Sequence, residues 1–234
     1  MGLPQIIIYS IISLINLGIF IGCLIHYYPY IFKYFCYLTL INLTLSTIYL
    51  VARVYIELSE RNGNTIKEEI KHFWHHHYYK YNFITSFSIM IVYWVLCSLG
   101  DDIMFPGDTW EYLAISIYLH GILCIVIFAD LFIGDHKHTD NHKFDFFLIG
   151  GFLLVYYVLL YFCKYWIEFM VYPFLIIMNF QQILVLFVMI TLINFNVHQL
   201  YHFLLDKKHK KIENNLSKII SDPERTNIIN LVKD

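Results

Sequence analysis

Thr39, Asn42, His120 and Asn179 are polar residues set in long apolar runs of this 234-residue sequence, and together they could carry acyl-transfer chemistry. An ionisable side chain in hydrocarbon is expensive, so an intramembrane histidine is read first as a functional site. His120 is the only histidine well inside such a run, Trp110 to Ile133. Counted from the outer ends of their spans at about 1.5 Å per residue, Thr39 lies ~10 Å deep, His120 ~13 Å and Asn179 ~9 Å. Asn42 follows Thr39 by one turn on the same face. A hydroxyl activated by an imidazole base, with amide donors for a developing oxyanion, is what acyl transfer from an ester requires. The plainer reading is interhelical hydrogen bonding, which Thr and Asn commonly supply in membranes.

The elements that must position these residues are transmembrane helices. Hydrophobic residues make up 59% of the chain and charged residues 15%, against roughly 45–50% and about 25% in soluble proteins. Mean hydropathy is +0.58. A bilayer-spanning helix needs about 20 apolar residues. Six stretches qualify: Gln5–Leu24, Ile31–Val54, Phe83–Leu99, Trp110–Ile133, Phe144–Phe162 and Pro173–Leu204. They are continuously apolar, without the alternation that a barrel wall requires. The expected fold is therefore all-α: a polytopic six-helix bundle over residues 1–205, followed by a basic amphipathic helical tail over 206–234. Arg61, Lys67, Lys71, Lys80, Lys137, Lys143 and the basic residues after Asp206 fall on one side of such a bundle. Only Lys33 and Lys164 fall on the other, so the positive-inside rule puts both termini in the cytoplasm or the mitochondrial matrix. An endomembrane or the plasma membrane is expected, with the mitochondrial inner membrane as the alternative.

The remaining features are assigned as follows. Thr65-x-x-Glu68 is a capping-box pattern, and Ile66, Ile70, Phe73 and Trp74 share a face, which predicts a short helix in the inner interface. Proline suits the first turn of a helix, so Pro173 is expected to open the sixth span. The five cysteines lie in or beside apolar runs and read as packing residues, not as a disulfide framework. His72 with His75–His77, and His136, His138 and His142, resemble incomplete di-iron ligand sets and are read as solvated loops. His198 and His202 are placed at the inner interface. No cofactor and no metal is expected. Asp130 is set near that interface too, helped by Arg53 or Lys143, and lies ten residues beyond His120, too far to orient it. The net charge of −2 implies no nucleic-acid partner. Membrane lipids are the expected partners. Ile212, Leu216, Ile219 and Ile220 form an apolar stripe in the tail, and Asp222-Pro223-Glu224 reads as the start of a last helix. Both call for a groove, expected from a partner protein and otherwise from the bundle's own inner loops.

Leu38-Thr39-Leu40-Ile41-Asn42-Leu43, His120 with Asp130 ten residues on, His136, and Met170-Val171-Tyr172-Pro173-Phe174-Leu175 occur in an order that resembles the androgen-induced membrane hydrolases. The resemblance covers roughly residues 5–200. It implies a multi-pass bundle that cleaves fatty-acid esters of hydroxy fatty acids, with Thr39 as nucleophile and His120 as base. Two departures are visible. Ile117-Tyr118-Leu119 stands where that family often has Asn-His before the histidine, and the basic tail after Phe203 has no clear counterpart. An intramembrane lipid-ester hydrolase is the expected function. The alternative, from a different class, is an accessory subunit of a large respiratory-type membrane complex that has kept the hydrolase fold.

Overall fold

The computed structural model describes residues 3–28, 36–99, 115–134, 136, 142–166, 172 and 175–220. Six helices are long and apolar enough to cross a membrane, making this an integral multi-pass, all-helical protein. We label them α1 (Leu3–Tyr27), α2 (Leu38–Arg61), α3 (Glu68–His72, Phe73–Tyr78 and Tyr79–Leu99 in unbroken succession), α4 (Ile115–Ile133), α5 (His142–Tyr165) and α6 (Phe180–Ile220). Many large apolar side chains face outward, as expected where lipid takes the place of water: Leu14, Val155, Phe147 and Val185 are each more than half exposed.

Four boundaries depart from the sequence expectation. The helix of the second span begins at Leu38, because the chain is extended at Tyr37 and the Leu38 N–H is taken by the hydroxyls of Tyr156 (3.1 Å) and Tyr172 (3.0 Å). Thr39 is thus the second residue of α2, not one buried seven residues along it. The sixth span begins at Phe180 instead of Pro173. There the Asn179 side chain accepts from the Gln182 N–H (3.0 Å), and the Gln182 side chain accepts from the Asn179 N–H (2.8 Å). This reciprocal box satisfies two N–H groups that helix formation leaves over. Asn179→Ala should lower stability by about 1 kcal/mol, read as a fall in melting temperature in detergent.

The expected interfacial helix is instead the first part of α3. Its capping box does not form, since the Glu68 carboxylate pairs with Lys71 (2.6 Å), which also binds Glu60. A π turn over Phe73–Tyr78 joins it to the membrane-spanning part. Lastly, α6 runs 41 residues without a break at Asp206. At about 1.5 Å per residue it is roughly 60 Å long, twice the ~30 Å hydrocarbon core. Part of the tail is held by the chain's own bundle: Lys208 donates to the carbonyls of Leu131 (2.9 Å) and Gly134, and His209 lies 3.0 Å from the His136 carbonyl. A cation there meets the free carbonyls and the negative end of α4. The expected final helix at Asp222 lies outside the described residues.

The inner core packs Tyr9, Tyr49, Tyr79, Phe83, Ile127, Leu131 and Tyr201 together. Asp130 sits among them, 1% exposed. Tyr9 and Tyr49 donate to its carboxylate, with His136 Nε2 at 3.3 Å and Arg53 at 3.9 Å. Arg53 is the expected helper, but the group is enclosed by tyrosines and does not stand at a wet interface. His136, expected in a solvated loop, is fully buried: its ring stacks on Tyr79 at 3.7 Å and lies 2.6 Å from the His75 carbonyl. Gly134 makes this possible. A Cβ there would run into the His136 ring and come within 2.9 Å of the Asp130 carbonyl. Gly134→Ala should therefore destabilise by about 1–3 kcal/mol, the usual range for overpacking, measurable as a loss of folded protein after solubilisation. The second glycine with a conformational role is Gly63, whose φ of +79° closes α2 with its N–H on the Glu60 carbonyl.

Candidate active site

A cavity of about 80 Å³ opens between α2, α3, α4, α5 and α6, walled mainly by aliphatic and aromatic side chains. Thr39 and His120 both line it. They approach from different helices, Thr39 from the first turn of α2 and His120 from the middle of α4.

The tertiary setting of each residue is specific. The Tyr37 carbonyl accepts from both the Leu40 and Ile41 N–H groups at 3.0 Å, and the Leu38 N–H is held by two tyrosine hydroxyls. Among the described residues Thr39 makes no hydrogen bond through either its hydroxyl or its N–H. Both belong to the turn in which a helix leaves N–H groups unused and carries its positive end. Thr39 is partly buried and lines the cavity, and its hydroxyl is uncommitted among the described residues.

His120 lies within a π turn, Tyr118–Ile122, a local widening frequent at functional sites. Its ring is clamped, stacking on Tyr93 with centroids 3.7 Å apart at 11°. Nδ1 is 2.8 Å from the Ser116 carbonyl, an acceptor, so Nδ1 carries the proton and donates. That assignment leaves Nε2 with its lone pair, the tautomer a general base requires. Ser116 lies across the same ring, its hydroxyl 3.3 Å from Nδ1 and donating to the Tyr93 hydroxyl at 2.9 Å. A backbone carbonyl one turn back thus orients the imidazole, the task that a carboxylate performs in many hydrolases.

The two asparagines go elsewhere. Asn42 is buried and accepts from Ser86 at 3.1 Å, outside the cavity lining. Asn179 is exposed at the head of α6, spent on the cap described above. In their place the cavity receives Tyr156, Tyr172, Ser88 and Asn194. Tyr156 donates to the Cys36 carbonyl at 2.9 Å, and its oxygen lies 3.2 Å from the Tyr172 hydroxyl. Burial holds the Tyr172 phenol above its ordinary pKa, so it stays a protonated donor. Ser88 is buried, and among the described residues its hydroxyl has no hydrogen-bond partner. Sequence reasoning missed these four, although Tyr172 lies inside the Val-Tyr-Pro-Phe-Leu motif that carried the family resemblance. Nearby, the Cys36 and Cys163 sulfurs are 3.5 Å apart as free thiols, in keeping with a packing role.

Thr39, His120 and Tyr172 fall within or beside segments that resemble one family, and a wider comparison bears this out. The family model for FAR-17a/AIG1-like proteins matches residues 7–205. The chain belongs to this androgen-induced family. The match takes in all six spanning helices and ends at Leu205, so the FAR-17a/AIG1-like portion is the bundle, and the last part of α6 lies beyond it. No curated protein and no solved structure matches the chain.

Ser116 and Tyr93 give a prediction specific to this site. Ser116→Ala keeps the carbonyl that fixes the His120 tautomer but removes one side of the clamp. Under the hydrolytic reading proposed below, it should lower ester turnover by about 3–10-fold, since a typical hydrogen bond is worth about 0.5–1.5 kcal/mol. Tyr93→Ala removes the stacking platform and should lower turnover further, with both measured as kcat on one fatty-acyl ester.

Proposed function

We propose that this protein is an intramembrane lipid-ester hydrolase of the threonine/histidine type, acting on fatty-acyl esters. The observation that carries the reading is the meeting of an uncommitted threonine hydroxyl and an oriented histidine on one apolar cavity. His120 Nε2 takes the Thr39 proton as Oγ1 attacks the ester carbonyl. The oxyanion that develops is met by donors already in place, the unused Thr39 N–H and the Tyr172 hydroxyl. Collapse breaks the ester C–O bond, and the leaving alkoxide takes the proton from His120. An acyl-threonine remains. Water then attacks it, giving its proton to His120, and the fatty acid departs as Oγ1 is reprotonated.

The apolar walls favour a long-chain acyl substrate entering sideways from the bilayer, its ester presented at the depth of α2's first turn. Family membership agrees with a membrane hydrolase. The test is labelling of the purified protein with a fluorophosphonate, followed by peptide mass spectrometry. A single phosphonyl adduct on Thr39 is expected, absent from His120→Gln. Labelling on Ser88 in place of Thr39, or labelling indifferent to His120, would refute the assignment.

A further inference from the structure

One helical turn inward from Asn194, a second constellation lies between α5 and α6. His198 and His202 are four residues apart on α6 and share a face. Instead of standing at the inner interface they are buried, 4% and 7% exposed, with Asp145 of α5 at 1%. His198 Nε2 is 3.2 Å from His202 Nε2 and 3.5 Å from Asp145 Oδ2, and all three ligand atoms lie within 4.8 Å of one another. An ion bonding tetrahedrally at ~2.0–2.1 Å keeps its ligand atoms roughly 3.3–3.4 Å apart. Two of the observed separations bracket that value.

The surroundings complete the case. Asp145 Oδ1 is fixed by Lys80 Nζ at 2.5 Å and by the Tyr81 hydroxyl at 3.1 Å. These two donors turn Oδ2 toward the histidines, as outer partners of a ligating carboxylate do. A proton shared by the two imidazoles would serve that pair alone, whereas a cation serves all three atoms. His198 also borders a cavity of about 250 Å³ beside Phe146, Gly150, Thr191 and Phe195. That leaves room for a water as a fourth ligand.

We infer that Asp145, His198 and His202 form a binding site for a divalent transition ion of the Zn²⁺ class, tying α5 to α6. Two imidazoles and one carboxylate match the donor preference of that class, and three protein ligands leave one position open. The site is independent of Thr39 and His120, so it stands or falls apart from the hydrolase reading.

Co²⁺ reports the geometry directly. Full-length protein in detergent is stripped with a chelator and titrated with Co²⁺. One equivalent should bind with the strong visible absorption of tetrahedral coordination, and Zn²⁺ should displace it. His198→Gln with His202→Gln should abolish the signal, whereas His72→Ala with His77→Ala, in the other histidine group, should leave it unchanged. Absence of stoichiometric binding, or a signal that survives loss of His198 and His202, overturns the site. Should the double glutamine variant not fold, the protein that keeps His198 and His202 but lacks the other pair decides. A Zn²⁺-dependent rise in the melting temperature of the His72→Ala, His77→Ala protein is expected, and no rise there overturns the inference.

Discussion

Thr39→Ala should lower kcat for fatty-ester hydrolysis by roughly 10³–10⁶-fold, the range seen when an activated nucleophile is removed. The fold should barely notice. Among the described residues the Thr39 hydroxyl makes no hydrogen bond, so its removal leaves no partner stranded, and the melting temperature should stay near that of the wild type. Thr39→Ser restores a nucleophile on the same helix turn and should recover much of the rate. His120→Gln should match the alanine variant, because without its base the hydroxyl is a poor nucleophile at neutral pH. Residues acting as a unit are not additive, so the double variant should be no slower than either single one. Hydrolysis by Thr39→Ala within a few-fold of wild type would sink the threonine mechanism.

The largest effect on stability is expected at Asp130. Its carboxylate accepts from Tyr9 and Tyr49 and faces His136 and Arg53, whose side chain is 2% exposed. Asp130→Ala takes one of two carboxylates from the buried guanidinium, leaving Glu57 at 3.7 Å, and strips the two phenols of their acceptor. Breaking one partner of a buried pair costs about 3–5 kcal/mol. Asp130→Asn keeps an acceptor for the tyrosines and should lose less. Removing both charges, in Arg53→Met with Asp130→Leu, should be milder than the sum of the single changes, because neither half of the Asp130–Arg53 pair is left facing the other's absence. Thermal melting in detergent measures all four. A wild-type melting temperature for Asp130→Ala would show that this cluster does not hold the inner end of the bundle together.

Class and span number were legible in the sequence because they follow from composition. Six apolar stretches of membrane length can be satisfied in lipid only by helices, so the bundle needed no tertiary information. Thr39 and His120 were legible for a related reason: a polar group inside an apolar run is conspicuous wherever the chain folds. Helix ends were a different matter. α2 starts after Tyr37 because Tyr156 and Tyr172, distant in sequence, receive the Leu38 N–H, and α6 starts after Asn179 because Gln182 turns back to it. Hydropathy carries no trace of such partners. The same limit explains the asparagines. Depth alone put Asn42 and Asn179 in the layer of Thr39, but a depth does not say which way a side chain points, and the donors proposed for the oxyanion come instead from the first turn of α2 and the segment before α6.

The polar residues that were expected near the inner side mark the boundary most clearly. Asp130, His136, His198 and His202 read one at a time as interfacial or solvated, since isolated charges belong near water, and Asp145 is marked by no motif at all. The fold buries every one of them by bringing partners from separate helices: Tyr9 and Tyr49 to Asp130, Lys80 to Asp145, and His75 to His136. Sequence alone determined that this chain is a six-span membrane bundle, and it singled out Thr39 and His120 as candidates. Tertiary structure alone decided which polar groups meet, because a buried charge is tolerated only where donors converge from several helices at once, and that convergence is a property of the packed bundle and of no single segment.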